Sequence, residues 1–259
     1  MRRTESTAEL AGLIKNYFRP GVKANFPLNA EKFESDIKSG ALFTEETASG
    51  LFIFKEREDF RIMYFMASDM SALPALDGKT VCEIPYRAGK RDAVIEDAFR
   101  IAGFENVLER VRLTRGVASA DMPDDGELDV HRAGEGDAEK AYGLFSDCFS
   151  RYTGCLPTPD DLKNDAEAGK LICAFKGGEL IAALHSDNEK KTAEIRHLAV
   201  REDVRGRGIA GIITKYYLNT VNGMRCTVWT GRDNSAAIKN YENCGFEPDG
   251  YMSCVMMKG

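Results

Sequence analysis

The run RGRGIA, residues 205–210, sets two arginines and two glycines against a helical apolar repeat formed by Ile209, Ile212, Ile213 and Tyr217. Glycine lets backbone N–H groups approach a ligand with no Cβ in the way, and a helix start adds partial positive charge. Arg205 and Arg207 add two full charges, so the segment reads as a phosphate or pyrophosphate site. With Gly211 the glycines also spell G-x-G-x-x-G, the dinucleotide pattern. The context is wrong for that reading. A dinucleotide strand runs almost directly into its first glycine, whereas here the charged stretch REDVR (201–205) intervenes. The next apolar run, RCTVWTG (225–231), ends without an acidic residue to take a ribose, and Asp233 lies further on.

Downstream, NSAAIKNYENCGF (234–246) reads as a helix with Asn234 at its N-cap. Asn234, Ala237 or Ile238, Tyr241 and Gly245 fall on one helix face, which carries the Tyr241 phenol. The seven cysteines are scattered with no C-x-x-C pair, which reads as reduced thiols and argues against a zinc site. Cys148, Cys226 and Cys244 are read as core rather than as acyl carriers. Nucleophile-elbow, G-x-x-x-x-G-K-[ST] and H-E-x-x-H motifs are all missing.

The elements that must position these residues fall into two halves on one plan. AGLIKNYF (11–18) answers to YGLFSDCF (142–149). Short helices capped by Asn29 and Thr158 and closed by Gly40 and Gly169 come next. SGLFIFKE then matches GELIAALH, RIMYFMA matches EIRHLAV, and FRIAGF matches ENCGF. Matching points lie 129 to 133 residues apart as far as EIRHLAV and 142 apart at Gly103 and Gly245. The extra length falls on the glycine loop and its helix. The first half bridges that gap with SDMSALPALDGK, too short and proline-broken to hold both.

Arg205-Gly206-Arg207-Gly208-Ile209-Ala210 resembles the pyrophosphate loop Q/R-x-x-G-x-G/A of the GNAT (Gcn5-related) N-acetyltransferases. AEIRHLAV (193–200) is similar to the family's central strand, and 234–246 matches its N-x-x-A-x-x-x-Y-x-x-x-G-F helix. The resemblance covers roughly residues 128–259. It implies an acetyl-CoA site between two splayed strands. Backbone groups of Leu198, Ala199 and Val200 would hold the pantetheine arm, and amides of Arg205, Gly206, Arg207, Gly208, Ile209 and Ala210 the pyrophosphate. Asn234 would reach the cofactor from its helix start. Tyr241 is the implied acid for the leaving thiolate, a transfer that costs a free phenol about 2 kcal/mol. Glu194 stands where the family's histone acetyltransferase branch has its catalytic glutamate. His197, on the opposite face of a regular strand, is the alternative base.

The expected fold is mixed α/β: two tandem GNAT-type domains, each a mostly antiparallel central sheet flanked by helices. Boundaries are expected at 1–118 for a degenerate domain without a CoA loop, 119–127 for a linker and 128–259 for the catalytic domain. The expected function is acetyl-CoA-dependent N-acetylation of a primary amine on a small molecule or peptide, by direct attack in a ternary complex. A CoA-binding module without turnover, or use of another acyl-CoA, are the alternatives. A net charge of −6 argues against nucleic acid and anionic lipid as partners. The opening MRRTESTAELAGLIKN has no apolar run of the signal-peptide kind, and a cytoplasmic location with no metal is expected.

Overall fold

LICAF and LFIF are apolar at every position, a pattern suited to strands covered on both faces. Both lie inside a sheet in the computed structural model, which describes residues 1–70, 73–117 and 126–259. The chain forms two compact units: 1–109 with 252–259, and 110–251.

The first unit holds β1 (Arg2–Arg3), α1 (Thr7–Tyr17), β2 (Lys23–Ala24), α2 (Glu34–Lys38), β3 (Leu42–Glu46), β4 (Gly50–Glu56), β5 (Arg61–Ala67), β6 (Thr80–Arg87), α3 (Ala93–Ile101) and the start of β7 (Glu105–Arg115). The second holds the rest of β7, then β8 (Asp129–Arg132), α4 (Glu135–Cys148), α5 (Pro159–Glu167), β9 (Leu171–Lys176), β10 (Glu179–Glu189), β11 (Thr192–Val200), α6 (Ile209–Thr220), β12 (Arg225–Gly231) and α7 (Ser235–Asn243). The last strand, β13 (Glu247–Lys258), begins in the second unit and ends in the first.

Strand order is the same in both units. The first runs β1-β3-β4-β5-β6 and then β13; the second runs β8-β9-β10-β11-β12 and then β7. In each, the earlier pairings are antiparallel and one inner pairing is parallel, β5 with β6 and β11 with β12. Between β11 and β12 the chain builds α6. Between β5 and β6 the described residues hold no helix.

The compact units depart from the expected boundaries, which follow chain order. Backbone pairing is the reason: residues 110–115 of β7 pair with β12, from Arg110↔Gly231 to Arg115↔Cys226. The end of the first segment therefore completes the second sheet. Of the expected linker, only 126 and 127 are among the described residues.

Each sheet is covered on both faces. In the second unit Leu171, Cys173, Phe175, Ala183 and Ala199 pack with Phe145 of α4 and Leu162 of α5. Ile172, Ala174, Leu184, Ile195 and Val228 pack on the other side with Ile213 and Tyr217 of α6 and Tyr241 of α7. The caps are as the sequence predicts: Asn29 and Thr158 accept from Glu31 N–H and Asp161 N–H, and Gly40 and Gly169 take positive φ.

Candidate active site

β11 and β12 pair at only four positions, from Thr192↔Arg225 to Ile195↔Val228. Beyond these β11 stays with β10 and β12 stays with β7, so the two strands part and leave a notch. The Arg201 N–H donates to Ile181 O. By strand alternation Ala199 also faces β10, while Leu198 and Val200 turn their backbone groups into the notch. The Val200 carbonyl accepts from Arg205 Nε at 3.0 Å.

A bulge reorders the faces of β11. His185 pairs with His197 but Ser186 pairs with Ile195, which leaves Arg196 as the extra residue. Before it Ala193 and Ile195 face α6; after it Leu198 and Val200 do, and Ala199 joins the α4 side. Glu194 and His197 consequently share the α4 face. The expectation of opposite faces held only for a regular strand.

On the α6 side of the notch lies the glycine loop. Gly206 and Gly208 both have φ of +79°, and no heavy atom would lie within 4 Å of a Cβ at either. Gly208 is the N-cap of α6 with no side chain over the helix start, so the first amides are open to an anion. Ile209 is buried beneath them and Ala210 half-buried. Arg205 is exposed, and its Nη2 reaches Cys148 Sγ at 3.5 Å, so Cys148 has a basic neighbour in the fold. Arg207 Nη2 donates to Asp203 O at 3.4 Å.

Asn234 caps α7, its Oδ1 accepting from Ala237 N–H at 3.1 Å. The Tyr241 ring is buried against Phe246, and burial pushes its phenol above the ordinary value. Its hydroxyl makes no hydrogen bond among the described residues.

The other face of the notch carries Glu194, half-exposed and ion-paired with Arg196 at 2.9 Å. Trp229, the first β12 residue past the last pairing with β11, lies on this face opposite Arg112. The Arg112 guanidinium stacks on Tyr251 at 4.0 Å and lies 5.6 Å from the Trp229 ring, held by Asp249 at 2.7 Å. The α4–α5 connection roofs this end. Thr153 O accepts from Arg110 on β7, and Gly154 O accepts from His197 Nε2 at 2.8 Å on β11. Those strands flank β12 on its two sides, so the loop spans the notch.

His197 does not act as a free base in this arrangement. Its Nδ1 faces His185 Nδ1 at 3.2 Å, and His185 Nε2 faces Asp165 Oδ2 at 3.0 Å. Both ring nitrogens of His197 are engaged. Burial, opposed by the Gly154 hydrogen bond and helped by His185 and nearby arginines, pulls His197 down to about 3. Burial resists ionisation of Asp165, but bonds from His185 and Lys170 outweigh it and hold that carboxyl below its usual range.

The sequence singles out the loop, Asn234, Tyr241 and Glu194, and does not single out Arg110, Arg112 or Trp229. The chain's single tryptophan was the one available signal among these. No helix among the described residues is long and apolar enough to cross a membrane.

Residues 138–246 match the model of the acetyltransferase (GNAT) family. Among solved structures, a GCN5-related N-acetyltransferase from Sphaerobacter thermophilus is similar at TM-score 0.65 and 12% identity, covering 99% of this chain and 94% of that one. A GNAT-family acetyltransferase from Colwellia psychrerythraea is similar at TM-score 0.57 and 16% identity, covering 99% and 98%. One from Kribbella flavida is similar at TM-score 0.55 and 12% identity, covering 86% and 93%. At such identities the likeness is one of fold. No curated protein matches the chain. Notch, glycine loop and family model coincide in the second unit, where residues 138–246 are similar to the acetyltransferase (GNAT) family.

Proposed function

We propose that the second unit transfers an acetyl group from acetyl-CoA to a primary amine of a small molecule or peptide, by direct attack in a ternary complex. The carrying observation is the parting of β11 and β12 after Ile195↔Val228, with the uncapped start of α6 beside it. Leu198 and Val200 would line the pantetheine arm, while the backbone of Ala199, between them, is turned to β10. Amides from Arg205 through Gly208 to Ala210 would meet the pyrophosphate, and Asn234 would assist from the α7 start. The open glycine positions and the two arginines fit such a group.

Acetyl-CoA would supply the acyl group as a thioester, whose C–S bond breaks as the acceptor nitrogen bonds the carbonyl carbon. Tyr241 gives its phenolic proton to the sulfur from the α7 side. Glu194 takes the amine proton from the opposite face, directly or through one water. Acid and base on opposite faces of one notch match a reaction in which donor and acceptor enter from opposite sides. The first unit, whose described residues hold no counterpart of the loop or of α6, is read as a degenerate copy.

The test is free-thiol release from acetyl-CoA across polyamines, aminoglycosides, amino acids and peptides, repeated with longer acyl-CoA esters. Release with one amine class supports the reading. Tight CoA binding with no release from any amine would make the protein a CoA-binding module instead.

A further inference from the structure

The first unit has the same notch, and it is filled. β5 and β6 pair in parallel at Arg61↔Thr80 and Ile62↔Val81 and then part. β2 enters the gap beside β5, with Lys23 opposite Ala67 and Ala24 opposite Met66. Asn25 follows and bridges the gap with its side chain. Its Oδ1 accepts the Phe65 N–H at 2.7 Å, and its own backbone N–H donates to Phe65 O at 3.3 Å. Its Nδ2 donates to Met63 O at 3.3 Å on β5 and to Glu83 O at 2.9 Å on β6. One carboxamide thus satisfies backbone groups on both parted strands.

Phe65 is the counterpart of Leu198. RIMYFMA laid on EIRHLAV superposes the two, and β5 and β11 hold the same place in their sheets. Both side chains face the unit's last helix: Phe65 packs with Phe99 of α3, and Leu198 against the core containing Tyr241 of α7. The backbone groups that Leu198 turns into an open notch are, at Phe65, already bound by Asn25.

We propose that residues 23–25 are a built-in occupant of the first notch. Asn25 takes, within the chain, the place that an amide-bearing extended ligand takes beside Leu198, and so closes the first unit to such a ligand. Strand addition of this kind draws its affinity from main-chain hydrogen bonds, and a tethered strand competes at high effective concentration. Naming the excluded ligand as CoA rests on the function proposed above; the closure itself does not.

Residue-resolved amide hydrogen exchange on the intact protein, with and without CoA, tests this. Without CoA the Phe65 amide should exchange about tenfold or more slowly than the Leu198 amide, as one hydrogen bond implies. CoA should slow Leu198 and leave Phe65 unchanged. Asn25→Ala should release the Phe65 amide, and the comparison within the unaltered protein stands even if that variant fails to fold. Equal exchange at Phe65 and Leu198 without ligand, slowing of Phe65 by CoA, or an unchanged Phe65 in a folded Asn25→Ala would overturn the proposal. If CoA leaves Leu198 unprotected while Phe65 stays slow and dependent on Asn25, the reading of the second notch fails and the closure stands.

Discussion

Two residues on opposite faces of one notch carry the proposed chemistry, and each has its own signature. Tyr241 has a raised pKa because its ring is buried, so the phenol is protonated at any working pH. A hydroxyl without a protein partner contributes little to the resting state and is available to a developing thiolate. Tyr241→Phe should therefore lower kcat roughly 10²-fold while leaving CoA affinity by calorimetry within a few-fold. Unchanged turnover would make the ring a packing residue alone. Glu194 is paired with Arg196, whose charge must be shared when an amine arrives. Glu194→Gln should depress kcat/KM most at low pH, where the acceptor is hardest to deprotonate, and an unaltered pH–rate profile would transfer the task to a water chain. His197 affects stability instead. The fold keeps it neutral to about 3, while the unfolded chain takes a proton near 6.5. Between those values the unfolded state binds more protons, so its contribution is complete above about pH 6.5 and is lost as pH falls. At pH 5 this costs about 2 kcal/mol. Urea unfolding of the wild type and of His197→Gln at pH 7 and pH 5 checks it: the variant should lose less stability on acidification.

The roof over the notch is an element held by backbone. Gly154 N–H donates to Ser150 O at 2.7 Å, and a Cβ on Gly154 would lie 2.6 Å from that same oxygen. The next residue, Cys155, already takes a positive φ of 51°. Gly154→Ala must therefore move the loop, loosening its carbonyl from His197 and tilting the face that meets the acceptor. Strain of about 1–3 kcal/mol is expected. The acceptor KM should rise roughly tenfold or more while the acetyl-CoA KM stays put. Equal rises in both would show that the loop serves the donor side as well. Local patterns made much of this legible from sequence: glycine spacing and helical period located the loop, Asn234 and Tyr241. The bulge at Arg196 left no trace, because one inserted residue changes no residue type yet inverts the face of everything beyond it. Arg110 and Arg112 were hidden for a related reason. They precede the acidic stretch at 119–127 in the chain, and only their pairing with Gly231 and Trp229 joins them to the site.

At the scale of the whole molecule, chain order and compact units disagree, and that disagreement decides what a fragment can do. Cutting at the composition break would leave residues 128–259 without 110–115. Backbone groups of Cys226 through Gly231 would then lose the strand they pair with. Leu113, fully buried in the core with Val228, Tyr241 and Phe246, would leave with it. Burial of one such leucine contributes about 1.5–3 kcal/mol, and each unmade ladder bond adds about 1 kcal/mol. Set against a domain stability of about 5–15 kcal/mol, the loss is enough to unfold the unit or leave β12 an exposed edge. The fragment 128–259 is therefore expected to melt without a cooperative transition and to bind no CoA, whereas 105–259 should regain both. Circular dichroism melts and calorimetric titration of the two fragments make the comparison. A cooperative melt and full CoA affinity for 128–259 would mean that 110–115 are dispensable, and that β13 or solvent can serve the β12 edge in their place.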